Sequence, residues 1–191
     1  MRQIRRGVFE TNSSSCHSIA ISKEKISNVS GCKIYFGSGE YGWENDCVTD
    51  TASYLYTAIV NMCSPTEYQY YIDRIKIILD KYNVKYKFAP VEFEKSKYSE
   101  LEYVKFKSNK YQWAGVDHAS ECREFIETIL SDEDLFLRYL FGDSCIYTGN
   151  DNSSDDTDMC YCAEAFLWGE DGKEQNPNHD SEHYDYFFKG N

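Results

Sequence analysis

Three prolines in 191 residues are too few to hold a chain open, and a content of 41% hydrophobic and 16% aromatic residues excludes a disordered polymer. No run of 18 apolar residues occurs, which excludes a membrane-spanning helix of ordinary length. The opening passes from Arg2, Arg5 and Arg6 into Val8-Phe9 and at once into acid and serine. It therefore lacks the apolar core of a signal peptide, and a cytoplasmic protein with no membrane partner is expected. Without export, the eight cysteines read as reduced thiols, mostly buried, rather than as a disulfide framework. Only Cys160-Tyr161-Cys162 brings two together; a strand would put both on one face, but no second pair completes a zinc site of familiar spacing. Gly37-Ser38-Gly39-Glu40-Tyr41-Gly42-Trp43-Glu44 has neither dinucleotide nor P-loop spacing, so it reads as a turn-rich loop. No metal or cofactor is expected.

What is present is enough for one core. A chain of this length buries roughly 70% of its unfolded surface on folding, and a single domain is the default. Seventeen tyrosines supply core volume while their hydroxyls keep the average hydropathy low.

Periodicity gives an α+β fold, with an antiparallel or mixed sheet packed against three to four helices. Ile4 to Phe9, His17 to Ile21 and Cys32 to Phe36 read as strands. Ala52, Leu55, Tyr56, Ile59, Val60 and Cys63 recur at three and four, predicting an amphipathic helix from Asp50 to Cys63. Ser64-Pro65-Thr66-Glu67 supplies an N-cap, a proline at the first position and the acidic partner of a capping box. That second helix should end at Asn83. Val84-Tyr86-Phe88 and Tyr103-Phe106 alternate as strands, with Pro90 to Glu102 a charged connection between them. Asp117 or Ser120 should cap a helix carrying Cys122, Phe125, Ile126, Ile129 and Leu130, and Ser131-Asp132-Glu133-Asp134 a shorter one reaching Phe141. Ser144 to Thr148 and Tyr184 to Phe188 read as further strands, Met159 to Trp168 as buried, and 149–183 as an acidic loop and tail.

Several polar positions stand out. Asn12, Ser13, Ser14 and Ser15 are residues that bond their own backbone; such a loop offers several N–H groups to an anion, and the same groups also serve as ordinary turn caps. His17 follows directly. His118 stands at or just before a helix start, where the dipole favours a neutral ring. Asp151 ends a strand, in reach of a ligand.

Charge is the other asymmetry. The net charge is −12, and from Asp143 to Asn191 twelve acids face only Lys173 and Lys189, a balance of −10. Such a flank repels duplex nucleic acid and suits the basic groove of a protein that binds it; it is also what a solubilising face looks like. Asp155-Asp156-Thr157-Asp158 lacks the glycine and distal glutamate of a calcium loop. His179 and His183, four apart, sit in a segment interrupted by Pro177.

Arg5-Arg6-Gly7-Val8-Phe9-Glu10-Thr11-Asn12-Ser13-Ser14-Ser15-Cys16-His17-Ser18 resembles the N-terminal signature of a family of uncharacterised proteins from phages, mobile elements and gut Firmicutes, most of which carry Thr where this chain has Cys16. The Gly39–Glu44 loop, Asp117-His118-Ala119-Ser120 and Thr148-Gly149-Asn150-Asp151-Asn152 resemble other blocks of the same family. The resemblance implies a mobile-element setting, in which small acidic proteins resemble inhibitors of host nucleases, anti-CRISPR proteins among them.

Two functions follow as expectations. The favoured one is an acidic inhibitor in the bacterial cytoplasm, whose Asp151, Asp155, Asp156, Asp158, Glu170 and Asp171 occupy the basic nucleic-acid groove of a host defence protein such as a Cas effector. The alternative is an enzyme in which His17, His118, Asp117 and Asp151, with Glu44 nearby, form a metal-assisted or acid–base site for a phosphate-bearing substrate.

Overall fold

The computed structural model describes residues 15–43, 46–97, 101–107, 114–150 and 182–189. In chain order its first elements are β1 (Ser15–Ser22), β2 (Lys33–Phe36), β3 (Glu40–Tyr41), β4 (Asp46–Val48), α1 (Thr51–Met62), α2 (Pro65–Lys81) and β5 (Lys85–Phe88). Then follow β6 (Val91–Lys95), β7 (Glu102–Phe106), β8 (Gly115–Val116), a 3-10 turn (Ala119–Cys122), α3 (Arg123–Ser131), α4 (Glu133–Phe141), β9 (Cys145–Asn150) and β10 (Tyr184–Lys189). The class is α+β, as periodicity predicted, with four helices and small antiparallel and parallel sheets among the described residues.

The core is organised on α1. Asp50 caps it, its carboxylate accepting the Ser53 N–H at 3.1 Å. The spacing predicted one apolar face, but every residue from Thr51 to Val60 is buried. The reason is chemical: its small hydroxyls find backbone partners inside. Thr51 Oγ1 donates to the Tyr139 carbonyl at 3.0 Å, Thr57 Oγ1 donates to the Ser53 carbonyl at 2.7 Å, and Ser53 Oγ accepts the Gly37 N–H at 3.0 Å. A face that looks wet in sequence is satisfied without water.

Helix α2 follows its local signals closely. Ser64 and Glu67 exchange the two bonds of a capping box, Pro65 opens the first turn, and Asn83 turns the chain out with a left-handed φ of 53°. Tyr68, Tyr71, Ile72, Ile75, Ile78 and Leu79 are buried, while Tyr82 at its end is half-buried. In α4 the cap is Asp132, accepting the Leu135 N–H at 3.1 Å, while Ser131 still belongs to α3.

Two other expectations are corrected. The charged connection from Pro90 contains strand β6, which pairs antiparallel with β7 and sets Phe93 opposite Val104. Its alternating glutamates disguised it, and they are held by Lys105, which reaches Glu92 at 3.1 Å and also pairs with Glu94. Neither Asp117 nor Ser120 caps a helix: the 3-10 turn starts at His118, and α3 starts behind Cys122 with no side-chain cap. Asp117 lies instead where β8 joins β3, its backbone N–H donating to the Tyr41 carbonyl at 2.9 Å. Among the described thiols, Cys63 and Cys122 are buried, Cys145 is half-buried, and Cys32 and Cys47 are exposed.

The largest sheet is antiparallel, in the order β10-β1-β9-β4. Strand β1 lies inside it, with both neighbours recruited from the far end of the chain. Arg138 of α4 clamps that edge, donating to the Ser22 carbonyl at 2.8 Å and to Asp185 of β10 at 3.0 Å. Among the described residues no helix is long and apolar enough to cross a membrane. The strand expected from Ile4 to Phe9, the buried segment Met159 to Trp168 and the pair Cys160/Cys162 lie outside the described residues.

Candidate functional site: a buried polar centre around His17

In a strand, alternate residues share a face, so His17 stands in line with Ile19 and Ile21. All three are buried, His17 completely. Its Nδ1 lies 2.6 Å from the Tyr54 hydroxyl of α1, and that hydroxyl lies 3.5 Å from Cys122 Sγ at the head of α3. The Tyr41 ring meets Tyr54 edge-on, with centroids 5.2 Å apart. Burial first, and then the neighbouring Cys122, push the Tyr54 hydroxyl well above its ordinary pKa. It therefore stays a neutral phenol, within hydrogen-bond reach of both His17 Nδ1 and Cys122 Sγ.

Gly42 closes the other side of His17. With φ of +102°, it adopts a backbone that side chains avoid, and a Cβ there would lie 2.5 Å from His17 Nε2 and 3.0 Å from Asp117 Cβ. The absence of a side chain is what lets the loop, His17 and Asp117 meet. Asp117 Oδ2 is buried with no hydrogen-bond partner among the described residues. His118 next to it has φ of 51°; its ring stands 3.9 Å from Asp117 Oδ1 and 3.5 Å from Glu121 Oε1. The α-helix start that spacing suggested for His118 is thus replaced by a 3-10 turn, with the ring between two carboxylates.

Strand register adds the last piece. Antiparallel pairing sets His17 opposite Thr148, Cys16 opposite Gly149 and Ser15 opposite Asn150. Four polar stretches far apart in sequence therefore meet: the end of the serine run with His17, the loop at Gly42, Asp117-His118, and Thr148-Gly149-Asn150. Beside Cys122 opens a cleft of about 250 Å³ lined by Ile19, Glu121, Glu124, Phe125 and Phe187.

Of the residues singled out in sequence, His17 and Asp117 are brought to the same glycine, and His118 adjoins Asp117. Asp151 and Glu44 lie outside the described residues, as do Asn12, Ser13 and Ser14 of the anion-loop expectation. Ser15 opens strand β1 instead of belonging to a loop. Asp155, Asp156, Asp158, Glu170, Asp171 and His179 also lie outside them. Two acids of the same flank have partners: Asp185 pairs with Arg138 at 3.0 Å and Lys23 at 3.6 Å in the body, and Asp143 accepts the hydroxyl of Tyr184, itself in the flank, at 3.3 Å. Among the described residues no three His, Cys, Asp or Glu side chains gather as metal ligands.

Tyr54, Cys122 and Gly42 were not identified from sequence. The alternation His17-Ile19-Ile21 was the available sign that His17 faces inward; nothing local indicates that Tyr54 faces it. Comparison with protein-family models, curated proteins and solved structures finds no match.

Proposed function

We propose that the chain is an enzyme of the acid–base type, with His17 as its proton-handling group and Cys122 as the group presented to substrate. The observation that carries this reading is the continuous line Cys122 Sγ, Tyr54 hydroxyl, His17 Nδ1, with steps of 3.5 and 2.6 Å. As the Cys122 thiol gives its proton to the Tyr54 oxygen, Tyr54 gives its own to His17 Nδ1. A thiolate then stands at the cleft and an imidazolium in β1, with the Asp117 carboxylate across Gly42 to balance the latter. Glu121 and Glu124 line the cleft, so a neutral or cationic electrophile suits it better than a phosphate ester.

Cys63 is the internal control: it is buried too, with its thiol pushed up to about 12 chiefly by burial, and it has no such relay. Peptide-level mass spectrometry of iodoacetamide labelling between pH 6 and 9 tests the idea. Cys122 should label at least tenfold faster than Cys63, and Tyr54→Phe should remove most of that advantage in a folded protein. Equal rates, or indifference to Tyr54→Phe, would refute it.

The charge count favours a second reading. A balance of −10 over Asp143 to Asn191 supports an acidic inhibitor of phage or mobile-element type that fills the basic groove of a host defence protein. Capture of a host protein should weaken as salt rises, and Asp155→Lys with Asp156→Lys and Asp158→Lys should abolish it; capture untouched by that triple change would discard the mimicry.

A further inference from the structure

The two-stranded parallel sheet of β2 and β5 is firmly seated but chemically incomplete. One face is apolar and rests on the core, where Phe36 and Phe88 stack at 4.6 Å and Phe36 meets Tyr56 edge-on. The other face is wet. It presents Lys33 beside Lys85 and Tyr35 beside Lys87, all four exposed. Lys23, Lys76, Lys81 and Lys105 each hold a carboxylate elsewhere on the molecule. Lys33, Lys85 and Lys87 form no ion pair among the described residues, on a chain whose net charge is −12. Like charges directly opposite each other weaken a sheet.

Among the described residues the outer edge of β5 is also open. The Lys85 N–H donates to the Cys32 carbonyl and the Ala89 N–H to the Phe36 carbonyl, both at 2.8 Å. Alternation then turns the amides of Tyr86 and Phe88 away from β2, and no third strand pairs with them among the described residues. A strand added there would lie about 4.8 Å from β5, with every second side chain on the lysine face.

We propose that this edge takes an extended acidic segment of a partner protein as a third strand, its alternate carboxylates facing Lys85 and Lys87 and, one strand further, Lys33. This goes beyond the His17 site and does not depend on it. Two complementarities converge on one occupant: main-chain groups for an edge that no described strand pairs, and negative charge at a spacing of two residues for the lysines. A single-stranded nucleic acid would use the lysines and stack on Tyr35, but it leaves the Tyr86 and Phe88 amides unmatched, and its continuing phosphates meet a strongly anionic chain.

Fluorescence anisotropy on the full chain tests this with a labelled eight-residue peptide of alternating Val and Glu. Saturable binding is expected, weakened at least tenfold by Lys85→Glu with Lys87→Glu and equally by N-methylation of alternate peptide amides. The milder pair Lys85→Gln and Lys87→Gln, with circular dichroism unchanged, guards against a folding artefact. The proposal is overturned by absence of saturable binding, by affinity indifferent to the lysines or to N-methylation, or by a thymidine oligonucleotide that binds more tightly with the same lysine dependence.

Discussion

The sheet containing β1 and the sheet of β2 and β5 treat polar side chains in opposite ways. In the first, a histidine, a tyrosine hydroxyl and a carboxylate are drawn into the interior, where each must find a partner or cost several times what it would at the surface. In the second, the polar groups are lysines kept in water, and the apolar side faces the helices. The contrast teaches where sequence constraint should lie: geometry is demanding around His17, whereas on the lysine face charge matters and shape hardly does.

The strongest way to break that contrast is Gly42→Ala. A side chain at a φ of +102° facing the His17 ring should cost about 2–5 kcal/mol from backbone strain and overpacking combined, read as a lower urea midpoint. Should the variant be as stable as the parent, the closeness of the loop to His17 is wrong. Tyr54→Phe comes next. It strips the bond to His17 Nδ1 inside a fully buried site, so a loss of about 1–3 kcal/mol is expected with the denaturant slope unchanged.

Ser64→Ala belongs to neither sheet and sets the baseline at about 1 kcal/mol for a lost helix cap, measured by thermal or urea unfolding. It also carries a pH signature. The Ser64 N–H and then its hydroxyl hold the Glu67 carboxyl below the ordinary value of 4.5. A lowered native pKa contributes stability that is complete above the unfolded value and is lost as pH falls through the native one. Ser64→Ala removes only the hydroxyl's share and should therefore flatten in part the decline in stability of the parent protein below about pH 4.5. The smallest effect is Lys85→Thr on the wet face: relief of the Lys33–Lys85 repulsion, with a β-branched replacement, should leave stability within about 0.5 kcal/mol of the parent or slightly raise it.

The boundaries of α1, α2 and α4 were legible because capping is local chemistry, whereas α3 starts without a side-chain cap and was misplaced. Asp50, Ser64 with Glu67, and Asn83 each act on residues three or fewer positions away, so the chain states them outright. Strand β6 was not, since Glu92 and Glu94 outweighed the alternation of Val91 and Phe93 that the hairpin with β7 depends on. The face of α1 was misjudged for a different reason. Tyr54 falls off the three-and-four pattern of Leu55, Tyr56, Ile59 and Val60, and only a second layer of structure over that side turns it into core. His17 and Asp117 could be named as polar outliers, but their meeting depends on Gly42 and on the β3–β8 pairing, which no spacing reveals. Cys122 looked like any apolar helix position until Tyr54 was placed beside it.

The central place of β1 has a consequence for biosynthesis. Ser15 pairs with Asn150 and His17 with Lys189, so both hydrogen-bonding rims of this strand stay open while most of the polypeptide leaves the ribosome. At roughly 5–20 residues per second that interval is about 7–30 s before β9 emerges, with β10 later still. A nascent chain with a strand exposed for so long is a natural client of ribosome-associated holding chaperones, and its yield of correctly folded molecules should depend on translation speed.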